Sequence, residues 1–355
     1  MTPPNSRTDR LRICQMVASA GGVGGLEKHV LELTRELAGR HDVSVVADPA
    51  YREMFSKIAT FFPCDFSRSR LDPRVLWEVG TILRGIKADL IHAHANKAAG
   101  IISMLRPLLS GKKVATIHGL KRRTAMFRGF DKVIAVSRAV AERLSPGTPC
   151  QVIYNGLHRD AIKPTQSRAE VRASLNIPKD RQVIVTAGRL VPVKGFDVLL
   201  QAMPDIEADL LIAGDGPDHD QLTKLIETRG LSNRVRLLGF RSDVPNLLQA
   251  ADVAVISSRR EGFPYFLLEA LHSERILVST RVPGAVELLS ERYLCDVEDP
   301  QALGRTLQNA LSHFEQSQHD FRPLWQRAAQ ELTFDAMVKQ IEGVYRELTL
   351  GIGAK

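Results

Sequence analysis

The stretch Val253-Ala-Val-Ile-Ser-Ser-Arg-Arg-Glu-Gly-Phe-Pro-Tyr-Phe-Leu-Leu-Glu-Ala-Leu271 changes character halfway along. Residues 253–256 are a short, wholly apolar run closed by small and basic residues, the pattern of a buried strand. Gly262-Phe263-Pro264 permits a sharp turn, and Phe266, Leu267, Leu268, Ala270 and Leu271 then read as a helix. Glu261 therefore sits where a strand hands over to a helix, the edge at which open α/β sheets bind ligands. Glu269 stands among apolar neighbours, where a carboxylate is rarely left unpaired. The turn allows both acids to face one ligand. Read alone, Glu261 is as readily a surface-loop acid, and Glu269 a capped helix acid.

The same alternation extends outward from this stretch. Short apolar runs of strand length recur at 183–187, 210–213, 235–238 and 276–279, with helical segments between them. The first half repeats the pattern: a strand at 11–18, a glycine-rich turn, a helix at 26–40 with Val30, Leu33 and Leu37 on one face, and a strand at 43–47. Further strands read at 89–94, 114–118, 133–136 and 151–156. A chain of 355 residues is long for one core and fits about two domains. The expected architecture is α/β: two doubly wound, Rossmann-like parallel sheets with a ligand cleft between them. The domains are expected at residues 1–157 and 173–355, joined by a polar linker at 158–172. From Gln301 onward the pattern is helical, with no sign of where those helices pack.

Composition excludes disorder, collagen and coiled coil. The first twelve residues lack the apolar core of a signal peptide, and no run of about 18 apolar residues exists. A cytoplasmic protein is expected, with Cys14, Cys64, Cys150 and Cys295 as buried free thiols, since none has CxxC spacing. Charge is unevenly divided: residues 1–157 carry 24 Lys and Arg against 13 Asp and Glu, a net +11, and the remainder is slightly acidic. Lys112, Lys113, Lys121, Arg122, Arg123 and Arg128 cluster within the basic half. Such a face suits an anionic membrane surface; a solvated basic loop fits equally. Without aromatic interleaving or a reader motif, nucleic acid is not expected.

Other stretches offer chemistry. The turn Gly21-Gly22-Val23-Gly24-Gly25 between a strand and a helix can bring bare amides to a phosphate, and a plain tight turn fits as well. In Ala187-Gly-Arg-Leu-Val-Pro-Val-Lys-Gly195, Arg189 and Lys194 follow a strand end at a spacing that suits a diphosphate, the other reading being two solvated surface cations. Residues 213–217, Ala-Gly-Asp-Gly-Pro, form another strand-end loop, readable as a wall of the same cleft or as a simple turn. His118 ends a strand before Gly119, where it can bond a substrate hydroxyl or move a proton. His92 and His94 share a strand face like a metal pair, but no third ligand presents itself, so no metal is expected and His92 reads as structural.

Taken in order, GGLEKHV (24–30), LIHAH (90–94), TIHG (116–119), VIAVS (133–137), IYNG (153–156), AGRLVPVKG (187–195), IAGDGP (212–217), VRLLGF (235–240) and EGFPYFLLE (261–269) resemble the retaining GT-B glycosyltransferases of family 4, also called glycosyl transferases group 1. The resemblance spans nearly the whole chain and includes a similarity to lipopolysaccharide-core and related bacterial enzymes. It implies roles position by position. Arg189 and Lys194 would hold the donor diphosphate and neutralise the leaving group. Glu261 would sit by the donor sugar and its reacting carbon, with Gly262 and Phe263 lining the donor site, and Glu269 would accept from the ribose diol. Gly24 and Gly25 align with the family's glycine pair, Gly25 nearest the phosphate and acceptor side. His118 would contact the donor sugar, and Asn155-Gly156 would lie near the hinge. No metal and no other cofactor is implied, because two cations replace a divalent ion. Glu274-Arg275 and Pro283-Gly284 depart from the family pattern, which puts the donor-sugar contacts of that loop in doubt.

The expected function is transfer of a sugar, UDP-hexose as first choice, to a glycan or lipid-linked acceptor, with the basic face meeting the inner surface of the cytoplasmic membrane. Two alternatives share the architecture: a nucleotide-sugar epimerase, and a non-catalytic nucleotide-sugar-binding scaffold on membranes.

Overall fold

Parallel strands need a crossover, and each apolar run here is followed by a helix that returns the chain to the same sheet edge. The structure is a computed structural model; it describes residues 10–20, 24–120 and 123–351, with Arg159 described by its backbone alone. Gly21, Gly22, Val23, Lys121 and Arg122 thus lie outside the described residues. The chain divides into two units, residues 1–153 with 338–355, and residues 154–337.

Among the described residues the first unit holds seven strands: β1 (Arg12–Val17), β2 (Asp42–Ala47), β3 (Thr60–Pro63), β4 (Leu90–His94), β5 (Lys112–Ile117), β6 (Lys132–Ala135) and β7 (Cys150–Val152). They lie in the order β3-β2-β1-β4-β5-β6-β7, every pair parallel. The strand order reverses direction between β1 and β4, the switch point where ligand crevices open. The helix Gly25–Ala38 buries Val30, Leu33, Thr34 and Leu37, a stripe at helical spacing. Val30 joins a cluster with Val17, Val45, Ala47, Tyr51 and Phe55. Burying each such large side chain is worth about 1.5–3 kcal/mol.

The second unit holds six strands: β8 (Val183–Ala187), β9 (Asp209–Ala213), β10 (Val235–Leu237), β11 (Val253–Ile256), β12 (Ile276–Thr280) and β13 (Leu294–Cys295). Their order is β10-β9-β8-β11-β12-β13, again parallel throughout, with the switch between β8 and β11. The opening stretch is β11, a loop, and the helix Tyr265–His272. That helix ends on Glu274 in the left-handed region (φ 54°), with Arg275 N–H returning to Ala270 C=O at 2.9 Å and Glu274 N–H to Leu271 C=O at 3.1 Å. This is the turn in which glycine is usual, so the departure at Glu274 is a non-glycine residue held in a glycine's conformation.

Four expectations change. Residues 338–355 do not belong with the second domain: Val338, Ile341, Val344 and Tyr345 of the helix Phe334–Leu350 are buried, and Tyr345 O–H and Glu342 meet Gln15 and His41 of the first unit. Residues 158–172 are not a loose linker. Asn246 Oδ1 accepts from Thr165 N–H at 2.8 Å, and Arg168 and Arg172 both pair with Asp252 at 2.6 and 3.0 Å, so their polarity is that of docked partners. Two strands went unread: β3 is an edge strand ending in Pro63, as edge strands tolerate, and β13 has two residues. Cys14, Cys64 and Cys295 are buried and free, but Cys150 is exposed because it opens the edge strand β7. Among the described residues no helix is long and apolar enough to cross a membrane.

Candidate functional site

In the second unit the two loops that leave the switch point meet. After β8 the chain passes Gly188, Arg189 and Leu190 into a short 3-10 turn, Pro192–Lys194; after β11 it passes Ser257 and Ser258 to Glu261. Lys194 Nζ donates to Glu261 Oε1 at 2.6 Å, and Ser258 Oγ–H donates to the same oxygen at 2.8 Å. The side chains of Lys194 and Glu261 are 26% and 15% exposed, so the pair is sheltered yet open to a ligand. A small pocket is lined by Lys194, Ser257, Ser258, Glu261, Pro264 and Phe266.

Backbone bonds hold the loops. Gly188 N–H donates to Ala213 C=O at 2.9 Å, Leu190 N–H to Asp215 C=O at 2.9 Å, and Gly214 N–H to Gly239 C=O at 2.7 Å. The three strand-end glycine loops after β8, β9 and β10 are thereby stitched together. A Cβ at Gly214 would lie 1.9 Å from Gly188 O, and one at Gly195 (φ 64°) would lie 2.1 Å from Ser257 O. Only glycine lets these loops approach so closely. Arg259 braces the arrangement: its guanidinium takes both oxygens of Asp197, at 2.8 and 2.7 Å, and also pairs with Glu298. The carboxyl of Asp197 is held below its ordinary pKa by the Arg259 hydrogen bonds.

Among the residues named from sequence, Lys194 and Glu261 are brought together. Arg189 is exposed on the same loop and pairs with no acid among the described residues. Glu269 lies one turn into the helix Tyr265–His272, partly buried. Gly262 and Phe263 are buried; the Phe263 ring stacks on Tyr154 with centroids 5.0 Å apart, and its carbonyl accepts from Asn155 Nδ2 at 3.2 Å. Ser258, Arg259 and Tyr154 were missed, the first two although they adjoin Glu261 in sequence.

In the first unit, Gly24 caps the helix Gly25–Ala38, and its N–H donates to Glu27 Oε2 at 2.9 Å. Glu27 Oε1 accepts from Ser19 Oγ–H at 2.6 Å. The helix N-terminus thus already faces a carboxylate, which its dipole favours. His118 stands one residue past the end of β5, next to His29 and His94, with ring centroids at 4.9 and 5.7 Å. Burial pushes His29 down to about 4, His92 down to about 3 and His94 well below the ordinary imidazole value.

The structural reading of His92 holds, but the expectation that no third histidine stands beside His94 needs correcting. His92 engages Tyr345 O–H through Nδ1 at 2.6 Å and Thr116 Oγ1 through Nε2 at 2.7 Å, so it is structural. Among the described residues, the group whose ligand atoms converge, all within 4.8 Å of one another, is His29, His94 and His118. His94 Nδ1 and His118 Nε2 are 3.5 Å apart, about the separation of two ligands on tetrahedral zinc. His29 escaped notice as a third partner because it lies on a helix far away in sequence.

Two family models match the chain: "Glycosyltransferase Family 4" over residues 23–161 and "Glycosyl transferases group 1" over residues 167–323. Among curated relatives, the lipopolysaccharide core biosynthesis glycosyltransferase LpsE of Rhizobium meliloti is 28% identical, covering 82% of this chain and 87% of its own. The lipopolysaccharide core biosynthesis glycosyltransferase LpsD of the same organism is 25% identical, covering 74% of this chain and 77% of its own. The crystal structure of Anabaena HepE in complex with UDP and glucose superposes with a TM-score of 0.82 at 22% identity, covering 96% of this chain and 100% of that one. With its two doubly wound parallel sheets, of GT-B type, this chain belongs to the family 4 glycosyltransferases, its second half being a group 1 glycosyl transferase domain.

Proposed function

We propose that the protein is a retaining, metal-independent glycosyltransferase that moves a hexose from a UDP-sugar to a glycan or lipid-linked acceptor. The observation that carries this reading is the Lys194–Glu261 pair at the β8/β11 switch, with Arg189 on the same loop. A donor diphosphate offers Lys194 and Arg189 more negative charge than Glu261 alone. The two cations stabilise the charge that develops on the leaving phosphate, the step at which electrostatic preorganisation counts most. Glu261 is then placed to accept from sugar hydroxyls, and Glu269 from the ribose diol. His118 takes a hydrogen bond from a substrate hydroxyl. No divalent ion is required where two cations already meet the diphosphate. No cofactor takes part in this scheme, since the nucleotide-sugar is a substrate. Lipopolysaccharide core, or another cell-surface glycan, is the proposed product, in keeping with the names of relatives such as LpsE.

A thermal-shift screen of UDP- and GDP-sugars, with and without EDTA, tests the donor. UDP-glucose at a hundred times its Kd should stabilise the protein by about 2.7 kcal/mol, and EDTA should leave the shift unchanged. A shift with GDP-sugars alone, or one abolished by EDTA, overturns the corresponding part of the proposal. Incubating the UDP-sugar without acceptor separates transfer from epimerisation, which needs none.

The acceptor is proposed to lie on an anionic membrane. The first 157 residues carry a net +11, and Arg123, Arg128 and Lys112 are exposed. Each basic residue near such a surface contributes about 1 kcal/mol. Replacing Lys121, Arg122 and Arg123 by glutamate should weaken binding to phosphatidylglycerol vesicles at least tenfold in co-sedimentation. Unchanged binding would remove the membrane from the proposal.

A further inference from the structure

Two buried serines close strand β11, and both hydroxyls are committed to the Lys194–Glu261 pair. Ser257 Oγ–H donates to the Lys194 carbonyl, and Ser258 Oγ–H donates to Glu261 Oε1 at 2.8 Å. The backbone of Ser258 is fixed in turn from the next strand. In the parallel pairing of β11 with β12, Ile256 lies opposite Ser279, so Thr280 stands level with the start of the serine loop. Thr280 is fully buried, and its hydroxyl donates to the Ser258 carbonyl at 2.6 Å, against 3.4 Å to the Ile256 carbonyl. Arg259 N–H holds the other side of the loop, donating to the Val193 carbonyl at 2.8 Å.

A carbonyl and a carboxylate oxygen only accept, and an ammonium only donates, so each of these bonds has one possible direction. Glu261 Oε1 receives two donors, the Lys194 ammonium at 2.6 Å and the Ser258 hydroxyl at 2.8 Å, which take up both of its lone pairs. Oε2 is the oxygen whose lone pairs these two bonds leave untouched, and it is the atom suited to a ligand hydroxyl. The two donors differ in what else they can do. Lys194 is a point charge on a flexible stem, and a diphosphate attracts it more strongly than one carboxylate does. Ser258 is uncharged, has a stem of one carbon, and is pinned through its carbonyl by Thr280.

We infer that Ser258 is a positioning residue for Glu261: it keeps the carboxylate oriented when the donor diphosphate draws the Lys194 ammonium away, and Thr280 acts through Ser258 to the same end. The hand-over of Lys194 rests on the sugar-transfer reading above; the anchoring of Glu261 by Ser258 does not. A hydroxyl bond to a carboxylate is among the stronger hydrogen bonds. Losing it leaves Glu261 to several rotamers, which disturbs the geometry of reaction more than the binding of the nucleotide.

The test uses the whole protein and UDP-glucose, with release of UDP to water read in the absence of added acceptor. Ser258→Ala should lower kcat for release about tenfold while the Kd for UDP changes by less than about twofold. Thr280→Val, isosteric but without the hydroxyl, should show the same split to a smaller degree, and Thr280→Ser should restore the rate. A merely structural role would weaken UDP binding as much as it slows release, so equal losses overturn the inference, as does an unchanged kcat in folded Ser258→Ala. In a crystal structure of the unsubstituted protein with UDP, Lys194 should lie on phosphate and Glu261 should remain on Ser258. A Glu261 that follows Lys194 overturns the inference even if every variant misfolds. Lys194→Met removes the ammonium without any ligand, and Glu261 should stay on Ser258 in its crystal structure; a displaced Glu261 overturns the anchoring. A protein that binds no UDP-sugar while Glu261 keeps its place in Lys194→Met overturns the donor reading and leaves the anchoring standing.

Discussion

Replacing Lys194 with alanine is expected to lower kcat/KM for sugar transfer by about 10²–10³-fold, the usual cost of deleting one preorganised donor at a developing negative charge. The structure supplies the reason the effect should be large. Lys194 ends a 3-10 turn whose next residue, Gly195, packs against the Ser257 carbonyl, so the ammonium is held at the β8/β11 switch. Ser257 Oγ–H adds a bond to the Lys194 carbonyl at 3.0 Å. The positioning is therefore built into the backbone of two loops and does not depend on the flexible stem alone. The loss should also be visible without turnover, as a reduced thermal shift with UDP. Glu261→Gln is expected to behave differently. It keeps a group able to accept from Lys194 and Ser258, so UDP binding should persist while transfer falls. If Lys194→Ala folds, binds UDP as the unsubstituted protein does and transfers at an unchanged rate, Lys194 serves only as the partner of Glu261, and the donor site must be sought elsewhere.

The sequence made the α/β alternation plain because strands buried on both faces are short apolar runs, and the turns between them are punctuated by glycine and proline. Thus Val253–Ile256 and Ile276–Thr280 were evident within a residue. The strands β3 and β13 were not, since an edge strand ending in proline and a two-residue pairing carry too little periodicity. The meeting of Lys194 with Glu261 follows from strand order, which places β8 beside β11 although β9 and β10 intervene in the chain. Only a resemblance or a structure could bring those residues together. The buried polar group around Gln15, which joins His94 and Tyr345, was illegible for a related reason. Its members come from β1, β4 and the final helix, and no local pattern reveals that Tyr345 packs against His92. The one local hint was a polar side chain inside Ile13-Cys14-Gln15-Met16-Val17.

Mild acid is expected to destabilise the first unit steeply. His29, His92 and His94 are 2%, 0% and 1% exposed, and each is kept neutral chiefly because burial withholds water from the charged ring. In the unfolded chain each regains a value of about 6.5. Folded values lie lower, at about 4 for His29, about 3 for His92 and well below the ordinary range for His94. Between about pH 6.5 and 4 the unfolded state therefore binds more protons than the folded state, so stability falls as pH falls. It is fully present above the unfolded value and lost progressively as each folded value is approached. Three such groups give a slope of at most about 4 kcal/mol per pH unit near pH 5. That would remove most of the roughly 5–15 kcal/mol that holds a domain folded. Urea unfolding followed across this range should show nearly three protons taken up per molecule at about pH 5.5. His94→Gln should remove about one of them, even if it lowers stability at neutral pH. Uptake of fewer than one proton would mean that water or a counter-charge reaches these rings.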